Sequence, residues 1–151
     1  MLHIKKSAFT MIELIFVIVV LGILAAVAIP KFTATRTDAQ ISKGRADISS
    51  IRSSIISERQ TRLIKGDSSW INSLSHETAT LFDGNGTVEL LMYGIKSAST
   101  NGHWRTIDSG FPYVHYIYRI GNEDCEMDYN SSNGKFTLKD GSADICDKLV
   151  N

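Results

Sequence analysis

The feature that most constrains this chain is an apolar run over residues 9–30, FTMIELIFVIVVLGILAAVAIP, that carries a single charge, Glu13. Wound as an α-helix at about 1.5 Å per residue, residues 9–29 would reach roughly 31 Å, close to the ~30 Å hydrocarbon thickness of a bilayer. His3, Lys5 and Lys6 precede the run, so the positive-inside bias keeps the N-terminus cytoplasmic and carries the remainder across. An acid in such a run costs roughly 2.5–3.5 kcal/mol at a helix centre and less toward an end, where Glu13 sits. Glu13 therefore requires a partner.

Lys5-Lys6-Ser7-Ala8, then Phe9-Thr10-Met11-Ile12-Glu13-Leu14, an apolar helix and Pro30 together resemble the N-terminal signal of type IV pilins and type II secretion pseudopilins. The shared features are a short basic leader, a Phe after the cut, a Glu at the fifth mature position and a Pro at the twenty-second. The resemblance covers about the first fifth of the chain. It implies that a prepilin peptidase cuts between Ala8 and Phe9 and methylates the new α-amine of Phe9. The family usually has Gly where this chain has Ala8; Ala is the next smallest side chain, and cleavage is expected. The freed amine and the Glu13 carboxylate, both stranded near lipid, would pair between neighbouring helices. Desolvation cancels much of such an attraction, so the pair would set register more than it adds stability. Pro30 removes the hydrogen bond that would reach back to Ala26, and Gly22 adds a second weak point, so both are candidate sites of a bend.

A secretory signal peptide is the rival reading of the same stretch. Ala26-Val27-Ala28 is a small-x-small site behind an apolar core and a basic leader, and cleavage there would release a soluble protein. That reading leaves Glu13 unexplained and needs an apolar segment longer than the usual 7–15 residues.

At 151 residues the chain has room for one modest domain beyond its anchor. The expected division is a leader over 1–8, a transmembrane and assembly helix over 9–30, an amphipathic stem over 31–64 and an α+β head over 65–151. Net charge is zero but unevenly placed: residues 1–65 hold ten Lys/Arg against four acids, and residues 66–151 hold six against twelve. A basic stem and an acidic head follow, able to attract one another within or between subunits. Cys125 and Cys146 both lie on the exported side of the expected topology, where oxidising conditions favour a disulfide.

Residues 31–64 contain no Pro and place Ile41, Ile48 and Ile55 seven apart with Ile51 between, an apolar stripe on a polar helix. Arg45, Arg52, Arg59 and a run of serines fill the other faces. An intermolecular coiled coil fits less well, because Gly44, Glu58 and Arg62 interrupt the seam. Lys65-Gly66-Asp67-Ser68-Ser69 breaks the helix. Beyond it the pattern predicts a short helix around residues 70–74, a turn at 83–86, a β-capable run over 87–95, a loop over 97–102 and an alternating strand over 111–120. Segments 125–129 and 135–139 flank Asn130-Ser131-Ser132-Asn133-Gly134, a hairpin signal. The fold class is α+β, a long N-terminal helix packed on a small antiparallel sheet, which is also the plan that the resemblance implies.

Candidate chemistry is sparse. The four histidines, at 3, 76, 103 and 115, share no ligand spacing. Residues 121–147 hold seven acids, making Asp128, Asp140 and Asp144 calcium candidates, although the simpler reading is a solvated acidic face. Asp128, Asn130 and Ser132 open like an EF-hand, but Asn133 and Lys139 stand where Gly and Glu are required. There is no P-loop, nucleophile elbow, Cys-x-x-Cys or His-Glu-x-x-His, so no cofactor and no catalysis are expected. The expected partners are copies of the chain, other pilin-like subunits, the prepilin peptidase and an inner-membrane assembly platform. Nucleic acid enters only if the chain serves DNA uptake. The competing expectation is a membrane-anchored or secreted binding domain that does not polymerise.

Overall fold

The computed structural model describes residues 9–151. One long helix, α1 (Met11–Ile64), is followed by β1 (Thr80–Leu81), β2 (Ile95–Lys96), β3 (Trp104–Thr106), β4 (His115–Ile120), β5 (Glu123–Asn130), β6 (Lys135–Leu138) and a single-turn helix α2 (Asp144–Asp147). The chain divides into two compact units, Met1–Arg36 and Thr37–Asn151.

In the second unit the outer part of α1 supplies the floor of the core. Ile41, Ile48, Ile51 and Ile55 are buried, and the 3–4–7 spacing that brings them to one face is the helical repeat itself. Burying each is worth roughly 1.5–3 kcal/mol. Against them lies an antiparallel four-stranded sheet in the order β3-β4-β5-β6, with β1 and β2 paired separately. Phe82, Trp104, Tyr116, Tyr118 and Phe136 form the aromatic centre, with Phe82 edge-on to Trp104 at 5.3 Å and tilted over Tyr116 at 4.5 Å. The fold is therefore the expected α+β arrangement, a long N-terminal helix packed on small antiparallel sheets.

The hairpin forms as the turn residues require. Tyr129 pairs with Phe136 and Met127 with Leu138, which puts Cys125, Met127, Tyr129 and Phe136 inside. Cys125 is bonded to Cys146, so the tail that carries α2 is tied to β5.

Three expected elements differ. The run over 87–95 is not a strand: Asn85 Oδ1 accepts the N–H groups of Thr87 and Val88, a side-chain turn that diverts the backbone from a ladder. Only Ile95, with Lys96, pairs in β2. No helix forms over 70–74, where the Ser73 hydroxyl instead bonds Ser75 O and Tyr113 N. The strand expected from residue 111 begins at His115. Pro112 lacks an N–H, and Asp108 Oδ2 takes those of Val114 and His115 at 2.6 and 2.8 Å.

A row of arginines clamps the helix to the head. Arg45 Nε donates to Lys148 O, Arg52 Nε to Phe136 O at 3.0 Å and Arg59 Nη1 to Ser69 O at 2.9 Å. Spaced by seven, these side chains recur on one side of α1 and capture carbonyls from three separate segments. Because β6 is an edge strand, its Phe136 carbonyl would otherwise face water as an open template.

Candidate functional site

The N-terminal unit begins with a capped helix. Thr10 precedes α1, and its hydroxyl accepts from Glu13 N at 3.3 Å. Glu13 Oε2 in turn accepts both the Thr10 N–H and the Thr10 hydroxyl, each at 2.9 Å. This is a reciprocal capping box, Thr-x-x-Glu, which satisfies N–H groups that a helix start otherwise leaves bare. Its carboxylate also sits at the positive end of the helix dipole. The Thr10-Met11-Ile12-Glu13 spacing was the available signal, and a reading of Glu13 as an acid in search of an intermolecular partner overlooks it. Oε2 carries both bonds, and Oε1 takes none among the described residues.

Beyond the cap, every residue from 9 to 27 is exposed. Phe9 is 85% accessible and Leu24 61%, on a helix that is apolar around its circumference. A helix with no polar face has no stable place in water. Among the described residues, one helix, α1, is long and apolar enough to cross a membrane. Gly22 lies within it with open space where a side chain would project, and the helical backbone includes Pro30. Ala8 and the rest of the leader lie outside the described residues.

The remaining candidates are placed as follows. Asp128 bonds His115 Nδ1 at 2.9 Å, Asp140 is exposed on a cleft it shares with Glu123, Asp124, Glu126 and Lys139, and Asp144 opens α2. The cleft carries its own cations. Arg119 and Arg105 hold Asp124, at 2.7 and 3.0 Å, and Lys139 holds Glu126 at 2.5 Å. The Arg119 guanidinium, helped by Arg105, keeps the Asp124 carboxyl below its usual range. Asp128, Asp140 and Asp144 do not converge on a common point; among the described residues the group that does is His76, Glu77 and Asp83. Sequence spacing did not reveal that trio, because its members meet only through the fold of the 75–86 loop.

Over residues 4–29 the chain matches the family described as the prokaryotic N-terminal methylation motif, the prepilin-type signal of type IV pilins and pseudopilins. The match spans the leader, the capping box and nearly all of the apolar run. No curated protein and no solved structure matches the chain.

Proposed function

We propose that this protein is a structural subunit of a pilus-like filament, either a type II secretion pseudopilus or a type IV pilus, made as a precursor and assembled through its N-terminal helix. The observation that carries this reading is the methylation motif over residues 4–29 on an apolar helix exposed from residue 9 to 27. Such a helix can be solvated by lipid before assembly and by copies of itself afterwards, so one segment serves as anchor and then as filament core.

In this reading residues 1–8 are a cytoplasmic leader removed between Ala8 and Phe9, the segment over 9–30 is the membrane and assembly helix, and the stem and head lie in the periplasm. The new α-amine of Phe9 is methylated and meets Glu13 of a neighbouring subunit. Glu13 has an oxygen to spare for it, since Thr10 occupies only Oε2. Gly22 and Pro30 provide the bend that close helix packing asks for. The Cys125–Cys146 disulfide holds the end of the head against β5. Among the pilus-like assemblies the small, single-disulfide head favours a pseudopilus.

Replacing Glu13 with Ala tests the proposal. The variant should remain membrane-bound at normal abundance while sheared or detergent-extracted filaments drop several-fold; wild-type filament yield would contradict it.

A further inference from the structure

We infer that His76, Glu77 and Asp83 form a binding site for a divalent transition-metal cation of the zinc class, a property independent of filament assembly. One donor atom from each residue lies within 4.8 Å of the other two. Donors held tetrahedrally by one ion at about 2.0–2.2 Å stand roughly 3.3–3.6 Å apart. A movement of about 1–1.5 Å by the exposed Glu77 and His76 side chains, within reach of a rotamer adjustment, closes the set.

The fold brings these residues together for a local reason. Ser75 is fully buried, and its hydroxyl accepts the N–H of Phe82 at 2.9 Å. That bond ties Ser75 to Phe82, so the residues that follow each anchor, His76 and Asp83, become neighbours, with Nδ1 to Oδ2 at 2.7 Å. Gly86, at φ +82°, passes beneath the His76 side chain, where a Cβ would lie 3.4 Å from it.

Charge supports a cation independently of the spacing. Several acids elsewhere in the head are matched by built-in donors: Asp124 by Arg105 and Arg119, Glu126 by Lys139, Asp108 by two backbone N–H groups. Among the described residues, Glu77 and Asp83 have no lysine or arginine within ion-pair distance; Asp83 accepts the His76 N–H at 3.4 Å and faces the His76 imidazole, and Glu77 lies beside them. The Asp83 side chain is only 16% accessible, so water screens this concentration of negative charge poorly. A bound dication would neutralise it. One imidazole nitrogen with two carboxylates suits zinc and its neighbours, whereas calcium and magnesium prefer oxygen alone.

The test is calorimetric titration of Zn²⁺ into the untagged full chain in detergent micelles, repeated for His76→Gln, Glu77→Gln and His115→Gln. Wild type and His115→Gln should take up one equivalent, and His76→Gln and Glu77→Gln should each bind at least about tenfold more weakly. Ca²⁺ at the same concentration should give no saturable heat. Absence of saturable Zn²⁺ uptake, or uptake unchanged in both His76→Gln and Glu77→Gln, would overturn the site. The two altered side chains are exposed, so each variant can be checked for native helix and sheet content before titration.

Discussion

Glu13 and Thr10 hold one another at the start of α1: Oε2 of the acid accepts both the N–H and the hydroxyl of Thr10 at 2.9 Å, and the Thr10 hydroxyl accepts from Glu13 N at 3.3 Å. An acid in an apolar run thus has a use inside its own chain, as the far half of a helix cap. The assembly role and the capping role are separable, because capping needs an acceptor at this position and pairing with an amine needs a charge.

Glu13→Gln keeps the acceptor and removes the charge, while Thr10→Val removes the cap and keeps the charge, at about 0.5–2 kcal/mol of helix stability. If intersubunit pairing governs assembly, filament yield should fall sharply in Glu13→Gln and only modestly in Thr10→Val. Quantifying sheared filaments from both strains distinguishes the roles; the reverse order would assign Glu13 to capping alone.

Gly44 marks a close approach of α1 to the head. A Cβ there would stand 2.7 Å from both Tyr118 Cε1 and Leu149 Cδ2. Tyr118 is held by its hydroxyl on Gln40 O at 2.7 Å, so the ring has little room to retreat. Gly44→Val should destabilise the head by about 1–3 kcal/mol, read as a lower urea midpoint with an unchanged slope. A midpoint equal to wild type would show that the contact relaxes freely.

The disulfide spans 21 residues. On the chain-entropy account a loop of that size stabilises by roughly 3 kcal/mol, and its loss frees Leu149, which is buried beside it. Reduction, or the paired change of Cys125 and Cys146 to Ser, should therefore lower the thermal midpoint of the head and expose residues 140–151 to protease first. Cleavage beginning elsewhere would contradict the clamp.

Acid should weaken the head through Asp124. Hydrogen bonds from Arg119, at 2.7 and 2.8 Å, and then from Arg105, at 3.0 Å, hold its folded pKa below the unfolded value of about 3.9. A depressed carboxyl contributes stability that is complete above the unfolded pKa and disappears as pH falls through the folded one. Asp124→Asn should thus be less stable at neutral pH, with a shallower loss of stability below about pH 4. Parallel acid limbs for the two proteins would remove Asp124 from the account.

Much of this fold was legible because its signals are local. The isoleucine stripe at 41, 48, 51 and 55, the hairpin around Asn130–Gly134 and the strand β4 each depend on residue spacing: the isoleucines are buried, the hairpin sets Tyr129 opposite Phe136, and Tyr116, Tyr118 and Ile120 are buried, joined by Ile117 from the other face. What stayed hidden depends on partners distant in sequence. Trp104 opens a three-residue strand too short to alternate, fixed by pairing with Tyr118 and by its indole N–H on Asp47 at 3.0 Å. Arg45, Arg52 and Arg59 read only as polar residues outside the isoleucine stripe, yet they bond carbonyls that only the folded head places beside them. Gly44 looked like a defect in a heptad and is a contact. At the N-terminal site the motif was plain, and the Thr10-x-x-Glu13 spacing of the capping box lies within it.

The most direct test of the central proposal is the intact mass of the protein recovered from membranes. Processing as a prepilin predicts loss of residues 1–8 and gain of one methyl group on Phe9, both abolished when Ala8 is replaced by a bulky residue. Loss of residues 1–28, with cleavage after Ala28, would instead mark a secreted domain and contradict assembly through this helix.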